Sequence, residues 1–114
     1  MPYVSITTAK KLDCPDKDKL NQEICKIMPV LPGKDKDNTL LAINDGVSMF
    51  KSGAPNEGVF VEVRLYKKSP EENKKDFAAK LYAILKDVLK IPDGGCVYMN
   101  YLEFENWSAN GGYF

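Results

Sequence analysis

Val59-Phe60-Val61-Glu62-Val63-Arg64-Leu65, followed after Tyr66-Lys67-Lys68 by Ser69-Pro70-Glu71-Glu72, holds a strand and a helix start within fourteen residues. Side chains alternate across a strand. Val59, Val61, Val63 and Leu65 therefore share one face, and Phe60, Glu62, Arg64 and Tyr66 the other. Ser69 is placed to cap a helix, Pro70 suits its first position, and Glu72 completes a capping box. Phe77, Leu81, Ile84, Leu85, Val88 and Leu89 continue as an apolar stripe, with Lys74, Lys75, Lys80 and Lys86 expected on the solvated side. Pro92-Asp93-Gly94-Gly95 stops the helix, and Cys96 to Leu102 reads as the next strand. This half of the chain is one strand–helix–strand unit.

The first half repeats the order. Tyr3 to Thr8 alternates and is rich in β-branched residues, so Pro2, Val4 and Ile6 point the same way. Pro15-Asp16 opens a helix whose acidic start, Asp16 and Asp18, matches the positive end of the helix dipole. Leu20, Ile24, Ile27 and Leu31 form its stripe, and Pro29 and Pro32-Gly33 end it. A charged turn, Lys34-Asp35-Lys36-Asp37, leads to Thr39-Leu40-Leu41-Ala42-Ile43, which reads as a buried strand. Asn44 to Gly58 is rich in turn signals, with Val47, Met49 and Phe50 expected to anchor a hairpin or packed loop. The tail from Glu103 to Phe114 is expected to pair as a short closing strand. Two tandem β-α-β units make an α/β fold (α+β in some schemes), a single domain over residues 1–114. Its four-stranded mixed sheet carries both helices on one face. The opposite face is too apolar to stay in water, which predicts an oligomer.

Composition narrows the functional classes. Sixteen Lys+Arg balance sixteen Asp+Glu, which argues against a nucleic-acid binder. Arg64 is the only arginine, so one subunit cannot build a paired guanidinium clamp. Cys14, Cys25 and Cys96 are an odd, scattered set with no Cys-x-x-Cys pair, and there is no histidine. Free thiols in a reducing, cytoplasmic setting are expected, with no metal and no cofactor. No signal segment and no membrane span are evident. Release without a signal peptide stays open.

Three features stand apart from the core. Pro2 follows Met1, and loss of Met1 would leave a secondary amine at the head of a strand. Such an amine titrates at about 7.7–8.0 in model peptides, so slight desolvation or a nearby cation makes it a neutral base. In a chain without histidine it is the best general base near neutral pH. A strand-edge proline with no chemistry is the bland alternative. Lys34 reads on its own as a solvated loop charge. Tyr98 and Asn100 lie two apart on one strand. Asparagine is depleted there, so Asn100 is expected to be buried, either as a structural hydrogen-bonder or as a ligand-binding amide.

Met-Pro-Tyr-Val at the start, Phe60-Val61-Glu62-Val63-Arg64, Val97-Tyr98-Met99-Asn100-Tyr101 and Asn106-Trp107-Ser108-Ala109-Asn110-Gly111-Gly112-Tyr113-Phe114 resemble the macrophage migration inhibitory factor family of the tautomerase superfamily. The resemblance runs the length of the chain. It implies a homotrimer with an inner barrel of sheets, and active sites at subunit boundaries. It implies Pro2 as catalytic base and Lys34 as the substrate-binding lysine, with Lys36, two residues on, as a rival. It implies Tyr66 contributing a backbone N–H, Tyr98 and Asn100 supplied by a neighbouring subunit, and Phe114 lining the pocket. The implied activity is keto–enol tautomerisation of a small-molecule 2-oxo acid of the phenylpyruvate type. The alternative is a cytokine-like trimer that binds a protein receptor and keeps a vestigial pocket. Two departures stand out. Gly58-Val59-Phe60-Val61 replaces the Cys-x-x-Cys segment of the family's namesake, so thiol-redox activity is not implied. Ala109 replaces its tail tryptophan, with Trp107 two residues earlier.

Overall fold

The computed structural model describes residues 1–93 and 95–114; Gly94, part of the expected helix stop, lies outside the described residues. Strand β1 (Pro2–Thr8) leads to helix α1 (Cys14–Ile27), then β2 (Leu40–Asn44). A small hairpin follows, β3 (Phe50–Lys51) and β4 (Ala54–Pro55). The second unit is β5 (Val59–Tyr66), α2 (Glu71–Leu89) and β6 (Val97–Phe104), and the tail folds as β7 (Ser108–Ala109) and β8 (Gly112–Tyr113).

The sheet order is β2-β1-β5-β6. Each β-α-β unit contributes a parallel pair, β1 with β2 and β5 with β6, because a helical crossover brings the chain back in the same direction. The two pairs meet antiparallel at the centre, from Pro2 opposite Leu65 to Thr8 opposite Val59. This is the expected mixed sheet. Val4, Ile6, Val61, Val63 and Leu65 are fully buried, as are Leu20 and Ile24 of α1 and Phe77, Leu81 and Leu85 of α2. One core therefore lies between the sheet and both helices.

Local chemistry explains the element ends. Asp13 caps α1, its Oδ1 accepting the Asp16 N–H at 2.9 Å. Leu31 joins the α1 stripe through a 3₁₀ turn, Met28–Val30, beyond the helix end. Asn110 and Gly111, both at positive φ, turn the tail hairpin, as Ser52 and Gly53 turn β3 into β4.

Four expectations are corrected. Ser69 does not cap α2: Pro70 holds the cap position and no side chain caps the helix. Ser69 is buried, and its own N–H donates to Glu103 Oε2 at 2.6 Å, so the chain enters the helix one residue later. Lys74 is not solvated. It lies three residues before Phe77, hence on the apolar face. There it is buried between Glu103 at 2.8 Å and Glu71 at 2.9 Å. Strand β2 is not a buried strand but an edge. Leu41 and Ile43 pack on the core, while Leu40 on the other face is 67% exposed. Phe50 pairs with Pro55 in the expected hairpin, but its side chain stands exposed rather than packed into the core.

Candidate functional site

Pro2 is buried at the head of β1, on the helix side of the sheet with Val4 and Ile6. Its neighbourhood is built by the connection between α1 and β2. Leu31-Pro32-Gly33-Lys34 is a tight turn, with the Lys34 N–H donating to Leu31 O at 3.0 Å and Gly33 at φ 76°. Proline then glycine at the two central positions is what that turn needs. The turn delivers Lys34 to the end of β5, where its Nζ donates to the Tyr66 carbonyl at 3.0 Å. The Lys34 ammonium also acts on the N-terminal amine. Burial first, then the positive charge of Lys34, lowers the Met1 amine below its ordinary range, with Asp35 pulling the other way.

A groove of ≈ 350 Å³ opens beside Pro2. One wall is Asp37, Asn38 and Leu40; the other is the tail, Trp107 to Asn110. Asp35 fixes the first wall, its Oδ1 accepting from the backbone N–H groups of Asp37 at 3.0 Å and Asn38 at 3.2 Å. The Phe114 N–H donates to Trp107 O at 2.9 Å and closes the second wall.

The remaining candidates divide into two groups. Tyr66 and Phe114 sit together near Lys34, ring centroids 5.9 Å apart, and the Tyr66 group in use is its carbonyl. Lys36 points elsewhere, into a groove over α1 with Asn21 and Cys25, so of the two rival lysines only Lys34 stands by the N-terminus. Tyr98 and Asn100 do not reach Pro2 within one chain. Pro2 faces Leu65, which pairs with Glu103, whereas Asn100 and Tyr98 lie three and five residues back along β6. At roughly 3.3 Å per residue that is about 10 and 17 Å along the strand alone. Asn100 is exposed rather than buried, because it projects from the face that the helices leave uncovered. Tyr98 shares that face, and the nearby Cys96 thiol raises its phenol above the ordinary range. It lines a cavity of ≈ 110 Å³ with Phe50, Phe60 and Cys96.

Residue-by-residue reading missed Asp37, Asn38 and Leu40 as walls of the Pro2 groove. The one available signal was Leu40, an apolar residue at the exposed start of an edge strand. Among the described residues no group of three or more Cys, Asp or Glu side chains converges as metal ligands would. No helix is long and apolar enough to cross a membrane.

Two β-α-β units with a strand-leading proline at a groove end give this chain the fold of the macrophage migration inhibitory factor and tautomerase proteins. Solved structures of that fold superpose over nearly the whole length. The MIF2 of Leishmania major matches with a TM-score of 0.90 at 20% identity, over 100% of this chain and 97% of its own. The MIF-like protein of Entamoeba histolytica matches at 0.84 and 17%, covering 99% and 98%. A protein called Pt0534, solved after inactivation by 2-oxo-3-pentynoate, matches at 0.82 and 19%, covering 96% and 93%. No family model and no curated protein matches the sequence.

Proposed function

We propose that this protein is a keto–enol tautomerase for phenylpyruvate-type 2-oxo acids, with the amine of Pro2 as general base once Met1 is removed. The observation that carries the reading is the burial of Pro2 at the end of a groove, beside a lysine that makes the neighbouring amine more acidic. A neutral Pro2 nitrogen takes a proton from the enol hydroxyl or the α-carbon and returns one to the other position. Lys34 holds the substrate carboxylate as a point charge. Phe114 and the Tyr66 backbone border the substrate. Tyr98 and Asn100 act on the far end from a neighbouring subunit, which requires a homotrimer. Support for assembly comes from the face away from the helices, where Leu40, Phe60 and Tyr98 stand exposed in the single chain. The inactivation of a fold relative by a 2-oxo acid agrees with the substrate class. A cytoplasmic setting fits three unpaired thiols.

The test is absorbance of phenylpyruvate tautomerisation, with intact mass to establish that Met1 is gone. General-base catalysis contributes roughly 10²–10⁴-fold, so Pro2→Gly should lose about that much rate. A processed parent that Pro2→Gly equals in rate defeats the mechanism. A processed parent inactive on several 2-oxo acids favours the receptor-binding trimer instead.

A further inference from the structure

We propose that Asn73, at the start of α2, is a positioning residue that holds Lys34 in place beside the N-terminal amine. The inference rests on the tautomerase reading for its effect on turnover, though not for its effects on binding and titration. Asn73 is half-buried, and its Nδ2 donates to the Val30 carbonyl at 3.1 Å. Val30 directly precedes the Leu31-Pro32-Gly33-Lys34 turn, so this bond fixes the base from which Lys34 is delivered.

The two sides of the Lys34 contact are not equally firm. Its acceptor, the Tyr66 carbonyl, ends β5 in register with Phe104 of β6. Beyond it the Lys67 N–H donates to Phe104 O at 2.7 Å, and the Ser69 N–H to Glu103 at 2.6 Å. The Lys34 side belongs to no strand. From Met28 to Thr39 the chain is two 3₁₀ turns, Met28–Val30 and Lys36–Asn38, joined by a loop. Leu31 is seated in the core. Among the described residues, two hydrogen bonds join this stretch to α2 and β5: Asn73 to Val30, and the Lys34 contact itself. Without Asn73, the Lys34 ammonium would be the remaining polar tie of the loop. With it, one of the three ammonium donors goes to Tyr66 O and two stay aimed for a carboxylate.

The residue type fits this role better than a role in the helix. Asn73 is the third residue of α2, and asparagine forms helix less well than alanine. Asn73→Ala gains helix propensity as it loses the bond to Val30, so folding should change little while Lys34 loosens.

The test uses the full-length chain with Asn73→Ala, Lys34→Ala and the double variant, each checked for parental stability by urea unfolding. Glu72→Ala, exposed on the same turn, is the control and should match the parent. Asn73→Ala should raise KM for phenylpyruvate about two- to tenfold, the span one hydrogen bond is worth in net terms. Its kcat should be little changed, the mark of lost uniform binding. A variant that merely unfolded in part would lower the apparent kcat and leave KM alone. Two readouts need no turnover. Affinity for 3-phenylpropionate, which cannot enolise, should fall by a similar factor in calorimetry. The N-terminal amine, Met1 or Pro2 as intact mass establishes, should titrate at higher pH by NMR once Lys34 no longer stands firmly beside it. On the Lys34→Ala background, Asn73→Ala should add to neither effect, because both act through one group. If probe affinity and amine titration shift as expected while no 2-oxo acid turns over, the tautomerase reading fails and the role of Asn73 stands. If phenylpyruvate turns over but Asn73→Ala leaves KM, probe affinity and amine titration at parental values, the role of Asn73 is refuted and the tautomerase reading stands. The same shifts in Glu72→Ala, or undiminished on the Lys34→Ala background, would refute it too.

Discussion

Replacing Glu103 by Gln should destabilise the protein by roughly 2–3 kcal/mol. The Glu103 carboxylate accepts from Lys74 Nζ at 2.8 Å and from the Ser69 N–H at 2.6 Å. Hydrogen bonds to charged groups are each worth about 1.5–3 kcal/mol. Glutamine keeps one oxygen acceptor, so about one such bond is lost, together with the charge that balances a buried ammonium. Glu71 still reaches Lys74 at 2.9 Å, but its side chain is 74% exposed and the pair is screened by water. Burial alone would raise the Glu103 pKa. The bonds from Lys74 and Ser69, with the Lys74 and Lys68 charges, outweigh it and hold the carboxyl below its ordinary value. The folded pKa is therefore depressed. Its stabilisation is present above the unfolded carboxyl pKa and is lost as pH falls through the folded one. The gap between parent and Glu103→Gln should hold near neutrality and close in acid. Urea unfolding at matched protein concentration measures it, since assembly would make the midpoint depend on concentration. A variant within about 0.5 kcal/mol of the parent at neutral pH would refute the reasoning, given that surface changes usually fall in that range. So would a gap that does not shrink in acid. Lys74→Met combined with Glu103→Gln should recover part of the loss, because no buried charge is left unpaired and the glutamine oxygen still accepts the Ser69 N–H.

The remaining predictions concern the site and its frame. Burial, then the Lys34 charge, lowers the pKa of the Met1 amine, and the same surroundings would extend the neutral, basic form of a Pro2 amine to lower pH. On the tautomerase reading, kcat/KM of the processed protein should therefore rise with pH as its N-terminal amine loses a proton and then level, and Lys34→Ala should move that rise to higher pH while increasing KM. Gly33 has open space where a Cβ would stand but sits at φ +76°. Gly33→Ala should cost about 1–2 kcal/mol from backbone strain alone and raise KM by misplacing Lys34, as paired denaturation and kinetic assays would show. Burial, then the Glu103 charge, pushes Tyr101 up to about 12, and its hydroxyl donates to Lys74 O at 2.7 Å. An alkaline absorbance titration should show a tyrosine ionising late, and Tyr101→Phe should remove that phase.

The sheet and its helices were legible because their signals are local. Alternation over Val59 to Tyr66 and over Pro2 to Thr8 named the buried face residue by residue, and Phe77, Leu81 and Leu85 named the inner side of α2. Errors fell where a residue's fate depends on a distant partner. Lys74 looked solvated despite its place on the stripe side, because a lysine is buried there only with a partner such as Glu103, twenty-nine positions later. An apolar run cannot say whether it will be central or at an edge, hence β2. The Pro2 groove combines the segment before β2 with the tail, two stretches that lack a common motif. Tyr98 and Asn100 gain meaning for Pro2 only from their resemblance to a known family, since the fold of one chain keeps them apart.

The antiparallel seam between β1 and β5 gives the fold a near twofold relation, with Ser5 facing Glu62 at its middle. Rotation about that point carries Pro2 onto Val59 and Leu40 onto Tyr98. The molecule therefore has two matching strand heads, each with its own small hollow. At Val59 the nitrogen belongs to a peptide bond, and its hydrogen is donated to Cys96 O at 2.8 Å. Only the Pro2 head can ever expose a free amine. On the proposed chemistry the two corners divide the work: the Pro2 head would react, and its twin, which carries Tyr98, would be the surface that a neighbouring subunit's Pro2 borrows.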